Sequence, residues 1–333
     1  MTGFRPAVLM GHPARFEIRG GANPHTRDAW GRRKTVDRER ALRQWTALAE
    51  ALTERGAEVY VVPAVAGSPG MVFPANAGFL TRRGESIPLA EKTFVLSRAL
   101  PPREAERAFF GDFISRLGFD VDTTFARRFE GEADLFQAGD VHLFTSGPLE
   151  HQRFTPRWGW PPWRRVYGFR SDREALDLLT PYAGTPVIPL TLVRETHYHG
   201  DTCLCAFGPR REYLMAYLPA LSPESGDRLR ERFRERLIPL GPEDGEGFSA
   251  NSFQLDGDRP VLFMPERSTA ALRAAVRERG VDVVPVDVSE FLEKGGGSVK
   301  CMVADLGPLP AEAPPAVQTF RRERLFRPAE RAQ

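Results

Sequence analysis

Apolar residues recur at helical spacing early in the chain. Ala41, Leu42, Trp45, Leu48, Ala49 and Leu52 form one stripe within residues 36–55, which predicts an amphipathic helix. Gly56 interrupts the stripe. The run Glu58-Val59-Tyr60-Val61-Val62 then reads as a short buried strand. The same succession returns as a helix over 269–279, Gly280, and a strand over 281–286. Weaker versions place helices over 103–117 and 172–182, ahead of strands at 119–121 and 186–189. A strand over 213–217 precedes a further helix over 222–237. About five helix–strand units in one chain predict an α/β fold with modules set around an axis.

Three segments break the pattern. Residues 64–70 are a Gly/Pro loop leading into Met71-Val72-Phe73. Residues 154–167 carry Trp158, Trp160 and Trp163 among prolines and arginines, an irregular stretch whose aromatic density predicts a lid, an enlarged pocket or a contact in a homo-oligomer. Residues 307–333, rich in Pro, Arg and Ala, read as a surface or disordered tail. Residues 1–306 are accordingly expected to form a single domain.

Composition narrows the function classes. The chain has 333 residues, 41% hydrophobic and 27% charged, enough for a sizeable core. No stretch approaches the roughly 18 apolar residues of a membrane span. The N-terminus lacks the pattern of a signal peptide, and three cysteines make no disulfide framework. A cytoplasmic protein without membrane contact is expected. A net charge of +2 gives no electrostatic case for nucleic acid. Lysine occurs only at positions 34, 92, 294 and 300, so arginine supplies the other 42 of 46 basic residues. Those arginines are dispersed beside Glu and Asp, as on solvated helix faces.

The candidate chemistry centres on Cys301, which follows Gly295-Gly296-Gly297-Ser298-Val299-Lys300. A thiol attacks as thiolate and needs a base or a positive field nearby. His199, in His197-Tyr198-His199-Gly200-Asp201, suits proton transfer. Glu130, in Phe129-Glu130-Gly131-Glu132-Ala133-Asp134, suits the orientation of an imidazole. Each residue alone also fits a structural role: an inert Cys in a turn, a satisfied His among aromatics, an acidic surface turn. A zinc site at His197, His199, Cys203 and Cys205 is weighed and set aside, because four ligands on one strand face cannot close a tetrahedron. Cys203 and Cys205 read instead as small core residues.

The local contexts, taken in order, resemble the guanidine-modifying enzymes: arginine deiminases, dimethylargininases, arginine dihydrolases and amidinotransferases. The resemblance runs from Asn23-Pro24 through Gln44-Trp45 to Met71-Val72-Phe73-Pro74-Ala75-Asn76-Ala77-Gly78. It continues through Phe129-Glu130-Gly131, Gly168-Phe169-Arg170-Ser171, Tyr198-His199-Gly200-Asp201-Thr202-Cys203 and Ala250-Asn251, and closes on Ser289-Glu290-Phe291 through Cys301. Asn76 stands where deiminases typically carry Asp, which places the likeness nearest the dihydrolase and dimethylargininase branches. The resemblance implies a five-bladed α/β propeller of repeated ββαβ units, a pentein.

It also implies a chemistry, with no cofactor and no metal. Cys301 would attack the guanidinium carbon of a small-molecule guanidine, and His199, oriented by Glu130, would protonate the departing amine and then activate water against the thiouronium. Asp201, Asn76 and Asn23 would hold guanidinium N–H groups, whose planar fork suits carboxylate and amide oxygens. Arg170, and more loosely Arg98, would clamp a substrate carboxylate, and Asn251 joins the substrate-binding set. The asparagines suit a second round on an uncharged ureido product. Two departures bear on the substrate. Pro69-Gly70 replaces a Pro-Asp pair whose carboxylate in relatives helps hold the α-amino group, and the Trp-rich segment resembles an insertion. Amidino transfer to an amine, or guanidine binding without catalysis, are the alternatives to hydrolysis.

Overall fold

The computed structural model describes residues 3–20, 23–156, 158–160, 162–310 and 319–320. Five three-stranded sheets share one plan. In each, the middle strand pairs antiparallel with one neighbour and parallel with the other. A parallel partner cannot follow through a tight turn, so a helix makes each crossover. Gly78–Leu80, Thr93–Leu96 and Asp120–Asp122 form one sheet, with helix Glu106–Leu117 crossing over. Leu135–Ala138, Val141–Ser146 and Val187–Thr191 repeat it with helix Ala175–Ala183. Leu204–Phe207, Tyr213–Ala216 and Leu237–Pro239 use helix Pro223–Phe233. Phe253–Leu255, Val261–Pro265 and Asp282–Val286 use helix Ala270–Arg277. The fifth sheet joins the two ends of the chain: Phe4–Gly11 lies antiparallel to Ala304–Pro310 and parallel to Glu58–Val62, across helix Arg38–Glu54.

The helical stripe read near the N-terminus is the buried face of Arg38–Glu54. Ala41, Trp45, Leu48, Ala49 and Leu52 are all buried, whereas Leu42 is exposed. Each large side chain so buried contributes about 1.5–3 kcal/mol. Asp37 caps the helix by accepting from Arg40 N.

Some expectations need correction. The helix over 222–237 stops at Phe233, and Leu237–Pro239 is a strand. Its apolar residues fit either period, and Arg234, at φ +50°, breaks the helix. The helix over 103–117 divides into Pro101–Glu104 and Glu106–Leu117, the latter ended by Gly118 at φ +99°. The Trp-rich stretch is not irregular: Arg153–Pro156 pairs antiparallel with Trp163–Val166, while Arg157 and Pro161 lie outside the described residues. The boundary at 306 falls inside strand Ala304–Pro310. Beyond it, Thr319 bridges Tyr60 and Phe320 packs edge-on against Trp45. The other tail residues lie outside the described ones. No described helix is long and apolar enough to cross a membrane.

Candidate active site

The residues singled out for chemistry occupy one recurrent place in the fold. Asn76 lies just ahead of strand Gly78–Leu80, Glu130 ahead of Leu135–Ala138, and His199 and Asp201 ahead of Leu204–Phe207. Asn251 precedes Phe253–Leu255, and Cys301 precedes Ala304–Pro310. All five sheets thus deliver a polar side chain from the turn entering the outer antiparallel strand. In three of these turns the backbone forms a short 3₁₀ helix: Pro74–Asn76, Gly131–Ala133 and Gly200–Thr202. Gly131 adopts φ +65°, and a Cβ there would lie 2.5 Å from Gly78 O and 2.6 Å from Ala75 O. Only glycine lets the Glu130 and Asn76 turns approach so closely.

Four of the five turns meet at a cavity of about 620 Å³, lined by Cys301, His199, Glu130, Asn76, Asn23, Arg170 and Tyr198 among others. Cys301, His199, Glu130 and Asp201 are at most 3% exposed, so their charges are set by neighbours rather than by bulk water. His199 Nε2 lies 3.0 Å from Glu130 Oε2. Burial opposes charge on His199, but the carboxylates of Asp134, Glu130 and Asp201 outweigh it and raise its pKa. Burial also works against the Glu130 carboxylate; the bond and charge of His199, with Arg103 and Arg170, prevail and bring it down to about 2. Glu130 therefore stays ionised and holds the imidazole by one edge.

Cys301 Sγ donates to Asp201 Oδ2 at 3.3 Å and accepts from Asn251 Nδ2 at 3.2 Å. Burial, then the Asp201 charge, push the thiol well above its ordinary value. Burial raises Asp201 to about 6. Asp201 Oδ1 is buried and has no hydrogen-bond partner. A buried carboxylate oxygen without a donor is costly; Asp201 does not itself line the cavity and reaches the site through its contact with Cys301.

Several expected roles change. Asn251 does not line the cavity. Its Oδ1 accepts from Ser298 N at 2.9 Å and Cys301 N at 3.3 Å, and its Nδ2 donates to Asp201 O at 3.0 Å. It holds the thiol rather than the substrate. Asn76 Oδ1 is occupied by Arg103 Nη1 at 2.9 Å, so the amide turns Nδ2 toward His199 Nδ1, 3.3 Å away. That contact suits a neutral imidazole, whereas the surrounding carboxylates favour the cation. Asn23 donates to Gly295 O at 2.8 Å and Tyr198 Oη at 3.2 Å, while its Oδ1 accepts from His25 N at 3.0 Å. Each of these two amide oxygens already accepts one hydrogen bond from the protein.

Arg170 lines the cavity, stacks over the Tyr198 ring at 4.9 Å and donates to Gly168 O at 3.2 Å. Arg98 does not line it. Its side chain is exposed and bonds Ala126 O at 2.8 Å, because residue 98 is bridged edgewise to Phe129 and faces outward. His197 packs against Phe248 and meets Gly245 O at 3.1 Å, and Cys203 and Cys205 are buried free thiols. Among the described residues no group of three His, Cys, Asp or Glu side chains is placed to hold a metal.

Three contributors carry no distinct signal in the sequence. Asp134 accepts from Ser171 Oγ and Thr145 Oγ1, both at 2.6 Å, and from Gly200 N at 3.0 Å, bracing the His199 turn. Arg103 and Glu106 form an ion pair at 2.8 Å on the cavity wall. Their i, i+3 spacing is visible, but on a helix it reads equally as a solvated surface pair. The Trp-rich hairpin walls a second cavity with Trp30, Phe154, Trp160 and Trp163; Tyr167 lines both cavities.

Known proteins carry the same organisation. The family model for eukaryotic N,N dimethylarginine dimethylhydrolases matches residues 168–307. The dimethylarginine dimethylaminohydrolase of Mycobacterium tuberculosis is 31% identical over 276 residues, 82% of this chain and 78% of that protein. The bifunctional arginine dihydrolase/ornithine cyclodeaminase ArgZ of Synechocystis is 30% identical over 299 residues, 89% of this chain but only 37% of the two-part enzyme. The solved N-terminal domain of ArgZ bound to substrate superposes with a TM-score of 0.74 at 25% identity, covering 91% of this chain and 98% of that one. The same domain has been solved covalently attached to a reaction intermediate. The chain belongs to the family of dimethylarginine dimethylaminohydrolases.

Proposed function

We propose that this protein is a hydrolase that cleaves a guanidino C–N bond of arginine or a related guanidine through a covalent adduct on Cys301. The observation that carries the reading is the convergence of the Cys301–Asp201 contact and the His199–Glu130 pair on one cavity. A guanidinium seated against the open oxygen of Asp201 brings positive charge beside the thiol and offsets the burial that keeps it protonated. Once the thiol has lost its proton to solvent, the thiolate adds to the guanidinium carbon and a C–S bond forms. His199, as the cation, gives its proton to the departing nitrogen, the C–N bond breaks, and a thiouronium remains. Water then adds as His199 takes one of its protons. The C–S bond breaks, a ureido product leaves, the second water proton passes to solvent and the thiolate is restored. Glu130 keeps its charge throughout and stabilises each imidazolium.

Residues 3–310 are proposed to form the catalytic unit. Five sheets of one plan, with the first and last strands paired in a single sheet, support a five-bladed α/β propeller about the site. Mass spectrometry of products from arginine, methylarginines and agmatine tests the activity, with Cys301→Ser as control. Ureido or amine products formed only by the unmutated protein are expected. Turnover that requires an added amine acceptor would mean amidino transfer instead.

A further inference from the structure

We propose that the Trp-rich hairpin and the loop beside it form a docking face for an anionic lipid surface. Four of the five tryptophans of the chain lie in these two segments, and the fifth, Trp45, is in the core. Trp158 is fully exposed, Trp160 and Trp30 are 79% and 78% exposed, and Trp163 is 49% exposed. With about 200 Å² for a whole Trp side chain, they present on the order of 600 Å² of aromatic surface to water, the upper end of what a monomer leaves uncovered. Trp30, Trp160 and Trp163 line one cleft of about 690 Å³, so loop and hairpin act as a single face. Nothing in this docking depends on the chemistry at Cys301.

Charge decides the partner. Residues 151–166 hold four arginines and no acidic residue. Residues 27–34 hold three arginines and a lysine against one acid, Asp28, whose Oδ1 accepts from Trp30 N at 2.9 Å and Arg32 N at 2.8 Å. The net charge of +2 averages this local excess away, and peripheral docking needs no spanning segment. Apolar and basic residues are also segregated. Residues 158–163 read Trp-Gly-Trp-Pro-Pro-Trp, with no charged side chain, while Arg153, Arg164 and Arg165 belong to the paired strands Arg153–Pro156 and Trp163–Val166. Arg165 is held there over the Phe154 and Tyr167 rings, at 5.7 and 5.5 Å. An apolar end above a basic collar suits a membrane interface, where indoles sit at headgroup depth and arginines meet lipid phosphates. Nucleic acid asks for the two interleaved, with a cationic groove beside the stacked bases. A second copy of the chain, meeting this face through a two-fold axis, would set one basic patch against another. Arg165 Nη2 also donates to Gln152 Oε1 at 2.8 Å, and Gln152 lines the catalytic cavity, so the docked hairpin brings that cavity close to the bilayer.

Sedimentation of the full chain with lipid vesicles tests the face without depending on turnover. The protein should bind vesicles made of phosphatidylglycerol and phosphatidylcholine in equal parts and come off as salt is raised. Binding to phosphatidylcholine alone should be about tenfold weaker or less. Tryptophan emission should move to shorter wavelength on binding, because four of the five indoles start in water. Trp158→Ser combined with Trp160→Ser should weaken binding by about tenfold or more. Arg32→Gln combined with Arg164→Gln should weaken it by about 10- to 30-fold on the mixed vesicles. All four side chains are exposed, so neither variant should alter melting. No binding to the mixed vesicles, or binding that both variants retain, overturns the proposal. Vesicles left unbound, with a single-stranded oligonucleotide bound or dimers formed until the tryptophans are replaced, would assign the face to nucleic acid or to a second copy and overturn it equally.

Discussion

Two charge clusters in this protein draw on neighbouring residues of the same turns. On one side Arg211 bridges Asp256 and Asp305, each at 3.0 Å. Arg83 meets Asp305 at 2.9 Å, and Lys300 meets Glu132 at 2.9 Å. On the other side stand Glu130, Asp201, Glu106 and His199. The chain alternates between them: Glu132 and Lys300 belong to the first, Glu130 and Cys301 to the second. In the first cluster every named carboxylate has a cationic partner. Asp256 is held well below the usual carboxylate range, its burial outweighed by Arg211 and Arg83; Glu132 is raised by burial even beside Lys300. In the second, two carboxylate oxygens have no donor. Burial alone therefore does not distinguish structural from functional charge. An incomplete set of partners does.

Disrupting each cluster should have a different signature. Asp201→Asn removes the charge proposed to meet the guanidinium and should lower kcat/KM by about 10²-fold, measured by product formation, with little change in melting. Arg211→Met strips the closed cluster of its central cation. It should cost about 1–3 kcal/mol of stability in a denaturant titration, because buried Asp305 loses one of its two arginines, while Asp256 is partly screened by solvent and both carboxylates keep Arg83. Turnover per folded molecule should change far less.

The pH dependence of stability sharpens the contrast. Glu130 has a folded pKa of about 2, below its unfolded value of ~4.3. Its contribution is present above the unfolded value and should be lost as pH falls through that window toward the folded one. Glu130→Gln should flatten the stability curve there, as read by urea melts at successive pH values. His199 has the opposite sign: raised in the folded state, it contributes below about pH 6.5 and loses that contribution as pH rises through the folded value. Arg98→Ala, at an exposed position outside both clusters, should change stability by less than ~0.5 kcal/mol and leave KM unaltered.

Much of the site is legible in the amino-acid sequence. Cys301, His199 and Glu130 stand in contexts that name their chemistry, and the helix stripe at Ala41, Trp45 and Leu48 fixes one buried face. The roles of the amides are not legible. Asn76 and Asn23 read as oxygens for a guanidinium and Asn251 as a substrate-binding residue, yet their oxygens are engaged by Arg103, His25 and the Cys301 turn respectively. An amide carries a donor and an acceptor on one planar group, so its function depends on which neighbour claims which end. Arg98 and Arg103 show the same limit. Five positions apart, one faces solvent and the other the cavity, a choice set by the bridge to Phe129 and by the helix that starts at Pro101.

By itself the sequence determined the alternation of helices and strands, the reactive thiol with its imidazole and carboxylate, and the absence of a side chain at Gly70. The first and last follow from residue type and local spacing; the catalytic set follows from the resemblance of its local contexts to the guanidine-modifying enzymes. Only the tertiary structure decided which carboxylate oxygens remain unpaired, because that depends on donors supplied from distant segments. By spacing alone Glu106 is a surface helix residue. Arg103 and Gly70 close around it in the fold, and the unpaired Oε1 that remains is a product of packing rather than of composition.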